Sequence, residues 1–136
     1  MQAVGLHGIQ EEQEIILGGK SEAGYFSRLA AAVTLSSGNV LITGGRHWEH
    51  EVFLLSGSGL SRWEARASMI VGRLGHAAIR LPLREESVMV AGGWDVGGQA
   101  QAGVELYSLA EDKWRMVKPL PSPRADFTLQ VTNHTN

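Results

Sequence analysis

Two histidines and two glutamates crowd the segment Arg46-His47-Trp48-Glu49-His50-Glu51, which directly follows a glycine pair. Histidines three residues apart can hold one metal ion when they lie on the same turn. The segment leads into a predicted strand, however, where successive side chains point to opposite faces. We therefore predict no metal site here and interpret the segment as a solvated connecting loop.

Other patterns that carry chemistry are weak or missing. The sequence has neither a Gly-x-Ser-x-Gly elbow nor a P-loop. The glycines of residues 92–98 precede a predicted strand, whereas phosphate binding uses a helix N-terminus. Glycoside hydrolysis needs two carboxylates in one cleft, and the carboxylates here are scattered in the sequence. They are Asp95, Glu105, Glu111 and Asp112. We predict no catalytic residue, no cofactor and no enzymatic activity.

Composition narrows the classes of partner. The 136 residues, about one domain in length, carry a formal net charge of −2, which argues against a nucleic-acid binder and gives no reason to expect a membrane partner. No apolar run approaches the ~18 residues of a membrane span. There is no cysteine, as suits a reducing compartment, and residues 1–10 lack the pattern of a signal peptide. We expect a cytoplasmic protein.

Short apolar runs between glycine-containing turns predict β-strands. The first set of strands covers residues 29–35, 39–43, 51–56 and 61–68, and the second covers 74–81, 87–91, 104–109 and 113–117. The runs VLIT and VMVA are continuous rather than alternating, which is typical of strands covered on both faces. No stretch of 11 or more residues keeps a helical apolar period without a glycine or proline. The sequence therefore predicts an all-β fold.

Three landmarks recur in the same order along the chain. Gly45 and Gly93, the second members of two glycine pairs, are 48 residues apart, and Trp63 and Trp114 are 51 apart. An arginine begins each unit, at positions Arg28, Arg73 and Arg124. A period near 50 residues indicates repeats of one structural unit.

The order of strand, glycine pair, loop, tyrosine and tryptophan resembles the kelch repeat, which is one blade of a β-propeller. The resemblance covers about residues 28–131. The matching residues are Gly92, Gly93, Tyr107 and Trp114 in the second unit, and Gly44, Gly45 and Trp63 in the first. Leu55 stands where the family has tyrosine. Since only glycine leaves room for a ring against the main chain, we interpret these residues as structural and expect the rings to pack within a blade. His76 is likewise interpreted as a core or interblade residue.

The resemblance implies a partial propeller with two full four-stranded antiparallel blades and partial blades at both ends. The full blades are residues 28–72 and 73–123. Residues 1–27 form either a remnant blade or a divergent lead-in, and residues 124–136 form the first strand of a further blade and a polar tail. Propellers close with about four to eight blades, so we expect a piece of a longer propeller, a truncated product or part of an assembly. Open blade edges predict marginal stability or self-association.

The loops at one face of a propeller are expected to carry recognition. Trp48 and Trp94 both follow glycine pairs, and aromatic side chains on loops are candidate hot spots. Arg46, His47 and Asp95 are their polar neighbours. We therefore predict a non-catalytic protein-interaction module whose protein partner the sequence does not identify.

Family resemblance also implies specific roles and alternatives. It points to substrate adaptors of ubiquitin ligases or to actin-associated scaffolds, although no BTB, BACK or F-box region is visible in this sequence. One alternative is a propeller enzyme, either an oxidase or a sugar-active protein. Copper oxidases of this kind use a tyrosine cross-linked to cysteine, and this chain has no cysteine. The other alternative is a truncated product without independent function.

Overall fold

The computed structural model describes residues 29–130, which form two four-stranded antiparallel sheets. The first sheet consists, in sequence order, of β1 (Ala31–Thr34), β2 (Val40–Thr43), β3 (Val52–Ser56) and β4 (Arg62–Ala65). The second sheet consists of β5 (Ala77–Leu81), β6 (Ser87–Ala91), β7 (Val104–Ser108) and β8 (Lys113–Val117). Between residues 29 and 130 the only helical turn is a short 3₁₀ turn, Ser58–Leu60. The all-β prediction is confirmed for this part of the chain.

Both continuous apolar runs form strands inside a sheet. The run VLIT is β2, which is buried along its whole length, and VMVA lies within β6. Each pairs with a strand on both sides, so its backbone groups are satisfied while its side chains fill the core.

The first strand of the second unit is shorter than predicted. β5 begins at Ala77 rather than at residue 74, because Gly75 adopts a φ of 67° that a strand does not allow. Leu29 has a φ of 69° just before β1.

The predicted turn at residues 36–38 is confirmed: the Leu35 N–H donates to the Asn39 carbonyl, and Gly38 has a φ of 94°.

The two sheets face each other across one apolar core. The first sheet contributes Ala31, Val33, Leu41, Val52 and Leu54, and the second contributes Ala78, Val88, Val90 and Tyr107. In each strand these residues alternate with residues that point away from the interface. Burial of each large aliphatic side chain contributes about 1.5–3 kcal/mol. The two sheets therefore share one apolar core between the faces that they turn toward each other.

At the ends of the chain the structure describes less of the predicted organisation. Residues 1–28, including the predicted lead-in and Arg28, lie outside the described residues, as do residues 131–136. Residues 124–130 form no strand; Arg124 alone pairs with Gln101 in an isolated bridge. No helix among residues 29–130 has the length and apolarity needed to cross a membrane.

Candidate functional site

The glycine pairs receive the first residues of the following unit. The Gly45 N–H donates to the Arg73 carbonyl at 3.0 Å, and the Gly93 N–H donates to the Arg124 carbonyl at 2.7 Å. A Cβ on Gly92 would lie 2.5 Å from the Arg124 carbonyl oxygen. The chain can approach this closely only because glycine has no side chain.

The ring that packs on each glycine pair also comes from the following unit. A Cβ on Gly44 would lie 2.7 Å from Cε1 of His76, and a Cβ on Gly92 would lie 2.8 Å from Cε1 of Phe127. From the sequence we expected rings of the same blade in this place. The contact instead joins one unit to the next, because the segment after each arginine crosses the preceding glycine pair.

His76 lies buried between the two sheets, with 5% of its surface exposed. Its Nε2 is 2.8 Å from the Thr43 hydroxyl, and its Nδ1 has no hydrogen-bond partner within residues 29–130. Burial, together with the nearby Arg73 charge, lowers the pKa of His76 to about 3. The imidazole is therefore neutral at physiological pH and closed off from a substrate.

Arg73 and Glu105 form an ion pair that is completely buried. The guanidinium Nη2 lies 2.8 Å from Glu105 Oε2, and both side chains are 0% exposed. Arg73 Nη1 also donates to the Gly92 and Gly103 carbonyls. Burial lowers the pKa of Arg73, and the hydrogen bonds and charge of Glu105 oppose that change.

Glu105 also accepts hydrogen bonds from the backbone of the segment that connects the two sheets. The N–H groups of Ile70 and Val71 donate to its two carboxylate oxygens at 2.7 and 3.0 Å. The pair thereby fixes the connecting segment to the third strand of the second sheet. With all these groups already engaged, the carboxylate is built for structure rather than for acid–base chemistry.

A second group of polar contacts links the segment after β4 to the second sheet. The Tyr107 hydroxyl donates to Asp112 Oδ1 at 2.6 Å and accepts from Arg66 Nε at 2.9 Å. The Ala67 N–H also donates to Asp112, and Trp114 Nε1 donates to the Ala67 carbonyl. Burial, followed by the hydrogen bond to Asp112, raises the pKa of Tyr107 to about 12. Tyr107 thus remains protonated and serves as a link between sheets.

The two aromatic rings of the first unit's loop and edge strand flank one phenylalanine. Trp48 and Trp63 both meet Phe53 edge-on, with ring centroids 6.3 and 6.1 Å away. Both tryptophans pack against a second buried cluster, on the face of the first sheet that points away from the second sheet. Trp48 is therefore half-buried, and only part of its surface is open to a partner.

Exposed polar side chains precede Trp48 in the β2–β3 loop. Arg46 and His47 are both exposed. His47 has a φ of 72°, and its N–H donates to Glu49 Oε2 at 3.2 Å. The loop thus presents two exposed side chains from a backbone held by local hydrogen bonds.

The corresponding β6–β7 loop is held in the same way. The Asp95 carboxylate accepts from the N–H groups of Gly97 and Gln99, both at 2.9 Å, and so caps its own loop. Trp94 is half-buried, and its N–H donates to the Leu74 carbonyl at 2.7 Å. Val96, which sequence reasoning did not select, is 70% exposed at the loop tip.

Both loops connect the second and third strands of their sheets. They lie at the same end of the two sheets, because Arg73 bonds to Gly45 before the first loop and the adjacent Leu74 pairs with Trp94 of the second loop. The predicted candidate residues therefore share one end of the molecule. Across the described residues, no group of three His, Cys, Asp or Glu side chains could hold a metal ion.

Comparison with known proteins agrees with this architecture. Residues 85–121 match the family model described as the kelch motif. The chain is 34% identical over 74 residues to beta-scruin of Limulus polyphemus, a match that covers 54% of this chain and 8% of that protein. A fungal alcohol oxidase of the AA5 family in complex with copper aligns with a TM-score of 0.50 and 18% identity. That alignment covers 64% of this chain and 18% of the oxidase, so the chain spans a small part of either relative.

Proposed function

Because this chain carries a kelch repeat within a partial propeller, we propose that it is a non-catalytic protein-interaction module. Binding takes place through a loop surface that consists of residues 46–50 and 95–99. The observation that carries this proposal is that two loops at one end of the sheets combine exposed side chains with backbones held in place. A preorganised loop loses little conformational freedom on binding, which favours recognition.

The distribution of polar groups supports this assignment over catalysis. The most buried charged and aromatic polar groups, Arg73, Glu105 and Tyr107, all link one sheet to the other or to the connecting segment. The exposed side chains of Arg46 and His47 lie instead on the loop surface. A partner with carboxylates and an apolar anchor would complement Arg46 and Val96.

A scaffold or substrate-adaptor role is the narrower form of this proposal, with a cytoplasmic setting supported by the absence of cysteine. In that role the loop surface holds one protein while other parts of an assembly act on it.

The likeness to the alcohol oxidase concerns the fold at 18% identity and lends this chain no oxidase activity.

The test changes the charge of the loop surface and of the opposite end in the same way. Arg46→Glu with Val96→Glu alters the loop surface, and Ser58→Glu with Arg62→Glu makes the same charge change at the exposed β3–β4 turn. Affinity capture with the full chain and quantitative mass spectrometry measures retained partners. We expect the loop variant to lose a specific partner by at least about tenfold, or roughly 1.4 kcal/mol. Equal loss in both variants, or in neither, excludes the loop surface.

A further inference from the structure

Two side chains that the repeat pattern does not require meet over the backbone of Gly75. A Cβ on this glycine would lie 3.0 Å from Asp126 Oδ1 and 3.0 Å from Cδ1 of Trp94. Because Gly75 carries no side chain, a carboxylate and an indole come together where any other residue would place its Cβ. We call Trp94, Gly75 and Asp126 the notch.

The backbone conformation does not require an aspartate at position 126. The Asp126 N–H donates to the Gly75 carbonyl, and the Gly75 N–H donates to the Leu29 carbonyl, so the three residues hold corresponding positions at the starts of successive units. Their φ angles are 69° at Leu29, 67° at Gly75 and 57° at Asp126. Since a leucine and a glycine adopt the same conformation, the carboxylate of Asp126 is an addition that the fold does not need.

The indole is also an addition of the second unit. Trp94 directly follows Gly93, and Arg46 stands at the corresponding position after Gly45 in the first unit. Trp94 bonds to its neighbours through its backbone, since its N–H donates to the Leu74 carbonyl at 2.7 Å. The side chain is half-buried, so part of the ring is open to solvent. The fold therefore accepts side chains of very different character at this position.

Charge and ring chemistry indicate what the notch can bind. Asp126 is exposed, and within residues 29–130 no Lys, Arg or His nitrogen lies within salt-bridge distance of its carboxylate. Asp95 of the same loop differs, because its carboxylate already accepts two backbone hydrogen bonds. An indole face attracts a cation, and the planar guanidinium of arginine can stack on a ring while it pairs with a carboxylate. The notch thus fits a cation and disfavours an anion.

We propose that the notch binds an arginine side chain of a protein partner. The guanidinium pairs with the Asp126 carboxylate and stacks on the Trp94 indole. Trp94 opens the β6–β7 loop, so the notch adjoins the loop surface. The inference rests on the proposed function, and it adds the chemical group by which that surface recognises its partner.

The probe is Nα-acetyl-L-arginine methylamide, which carries the guanidinium without the rest of a partner. Nα-acetyl-L-citrulline methylamide has the same shape and no charge. Each compound is titrated into the isotope-labelled full chain, and the Gly75 N–H resonance in amide NMR spectra reports binding. We expect the arginine compound to saturate this signal with a Kd on the order of 1 mM. The citrulline compound should bind at least about fivefold more weakly, since it loses both the ion pair and the cation–π contact.

A matched pair of charge changes tests the carboxylate. Asp126→Asn keeps a residue type that tolerates a positive φ, and it should weaken binding of the arginine compound about threefold to fivefold. Glu51→Gln makes the same change at an exposed carboxylate beside the β2–β3 loop and should alter the Kd by less than about 1.5-fold. Equal effects of the two changes, or equal binding of the arginine and citrulline compounds, overturn the proposal.

A second pair of variants tests the ring. Trp94→Leu removes the π face and should weaken binding about twofold to fivefold, whereas Trp94→Phe keeps an aromatic face and should remain within about twofold of the parent chain. Amide signals away from the notch show whether each variant is folded. Binding that is as tight in a folded Trp94→Leu chain as in the parent overturns the role of the indole. If Trp94→Leu unfolds, Asp126→Asn at its exposed position decides the proposal.

This experiment is independent of the test of the loop surface because it needs no partner. If the arginine compound fails to bind while Arg46→Glu with Val96→Glu loses a partner, the notch is overturned and the loop surface stands. If the compound binds as expected while that variant retains every partner, the notch is supported and the loop surface is excluded.

Discussion

Arg73 and Glu105 show what a fully buried ion pair does in this molecule. Taking both charges out of water is costly, and the pair is tolerated because every donor and acceptor finds a partner. Its contribution is to fix the connecting segment, through the N–H groups of Ile70 and Val71, against the second sheet. Removing one member leaves the other charge without compensation.

We therefore predict a large loss of stability for Glu105→Gln. The neutral amide leaves the Arg73 charge buried, which costs about 3–5 kcal/mol. Urea unfolding measures the loss. The control is Glu64→Gln, which breaks an ion pair of 3.4 Å whose carboxylate is 56% exposed. That change should cost less than about 1 kcal/mol, and equal costs would contradict the assigned role of burial.

His76 makes stability depend on pH with a definite sign. Its pKa is about 3 in the folded chain, against about 6.5 in the unfolded chain. Between these values the unfolded state binds the additional proton, so acidification favours unfolding. Stability is highest above pH ~6.5 and should fall by about 2 kcal/mol between pH 7.5 and pH 5.

The test compares how steeply the free energy of unfolding changes with pH in each variant, rather than the absolute stabilities. His76→Phe places a phenylalanine where the following unit has Phe127, and it should flatten the dependence of unfolding free energy on pH over this range. His47→Gln, at an exposed position, should leave the slope as in the parent chain. A His76→Phe chain with the full acid slope would show that other groups carry it.

Residue types alone were enough to select some of the structural residues. The glycine pairs, Tyr107 and Trp114 stand out because few residue types fit their positions. The Arg73–Glu105 pair could not be predicted, since 32 residues separate its members and only the strand register brings them together. Asp95 was selected as a binding residue from its place in a loop, but the hydrogen bonds to Gly97 and Gln99 became visible only with the backbone conformation.

At the scale of elements, strand positions followed from the apolar runs and turn residues. The errors occur where the backbone leaves the extended region, as at Gly75 before β5. The prediction was also wrong about the ring at each glycine pair, which comes from the following unit and not from the same blade. A pattern of glycine and aromatic residues indicates a close contact, but it does not say which unit supplies the ring.

The glycine contact gives a matched pair of substitutions. Gly44 and Gly59 have the same φ of 64°, yet a Cβ on Gly59 meets nothing within 4 Å, whereas one on Gly44 would run into the Arg73 carbonyl. Gly59→Ala should cost about 1–2 kcal/mol from backbone strain alone. Gly44→Ala should cost a further ~1–3 kcal/mol from overpacking. Chemical denaturation measures both, and similar losses would show that the next unit does not press on Gly44.

For the whole molecule, the period near 50 residues predicted a repeat architecture, and the two sheets confirm it. Repeats stack because each cannot bury its apolar face alone. The sequence could not say which face remains open, because Val90 and Met89 are neighbours of similar character in one strand. Only the packing distinguishes them: Val90 is fully buried between the sheets, whereas Met89 is half-buried on the face of β6 that points away from the first sheet.

That difference predicts how unfolding spreads through the molecule. Val90→Ala removes atoms from the core shared by both sheets, so it should weaken protection against hydrogen exchange in β2 as well as in β6, by about 1 kcal/mol. Met89→Ala, on the other face of the same strand, should leave β2 protection nearly unchanged. Mass-spectrometric exchange of the full chain resolves both strands. If Val90→Ala reduced protection in β6 alone, the sheets would be independent units, and coupling through a shared core would be ruled out.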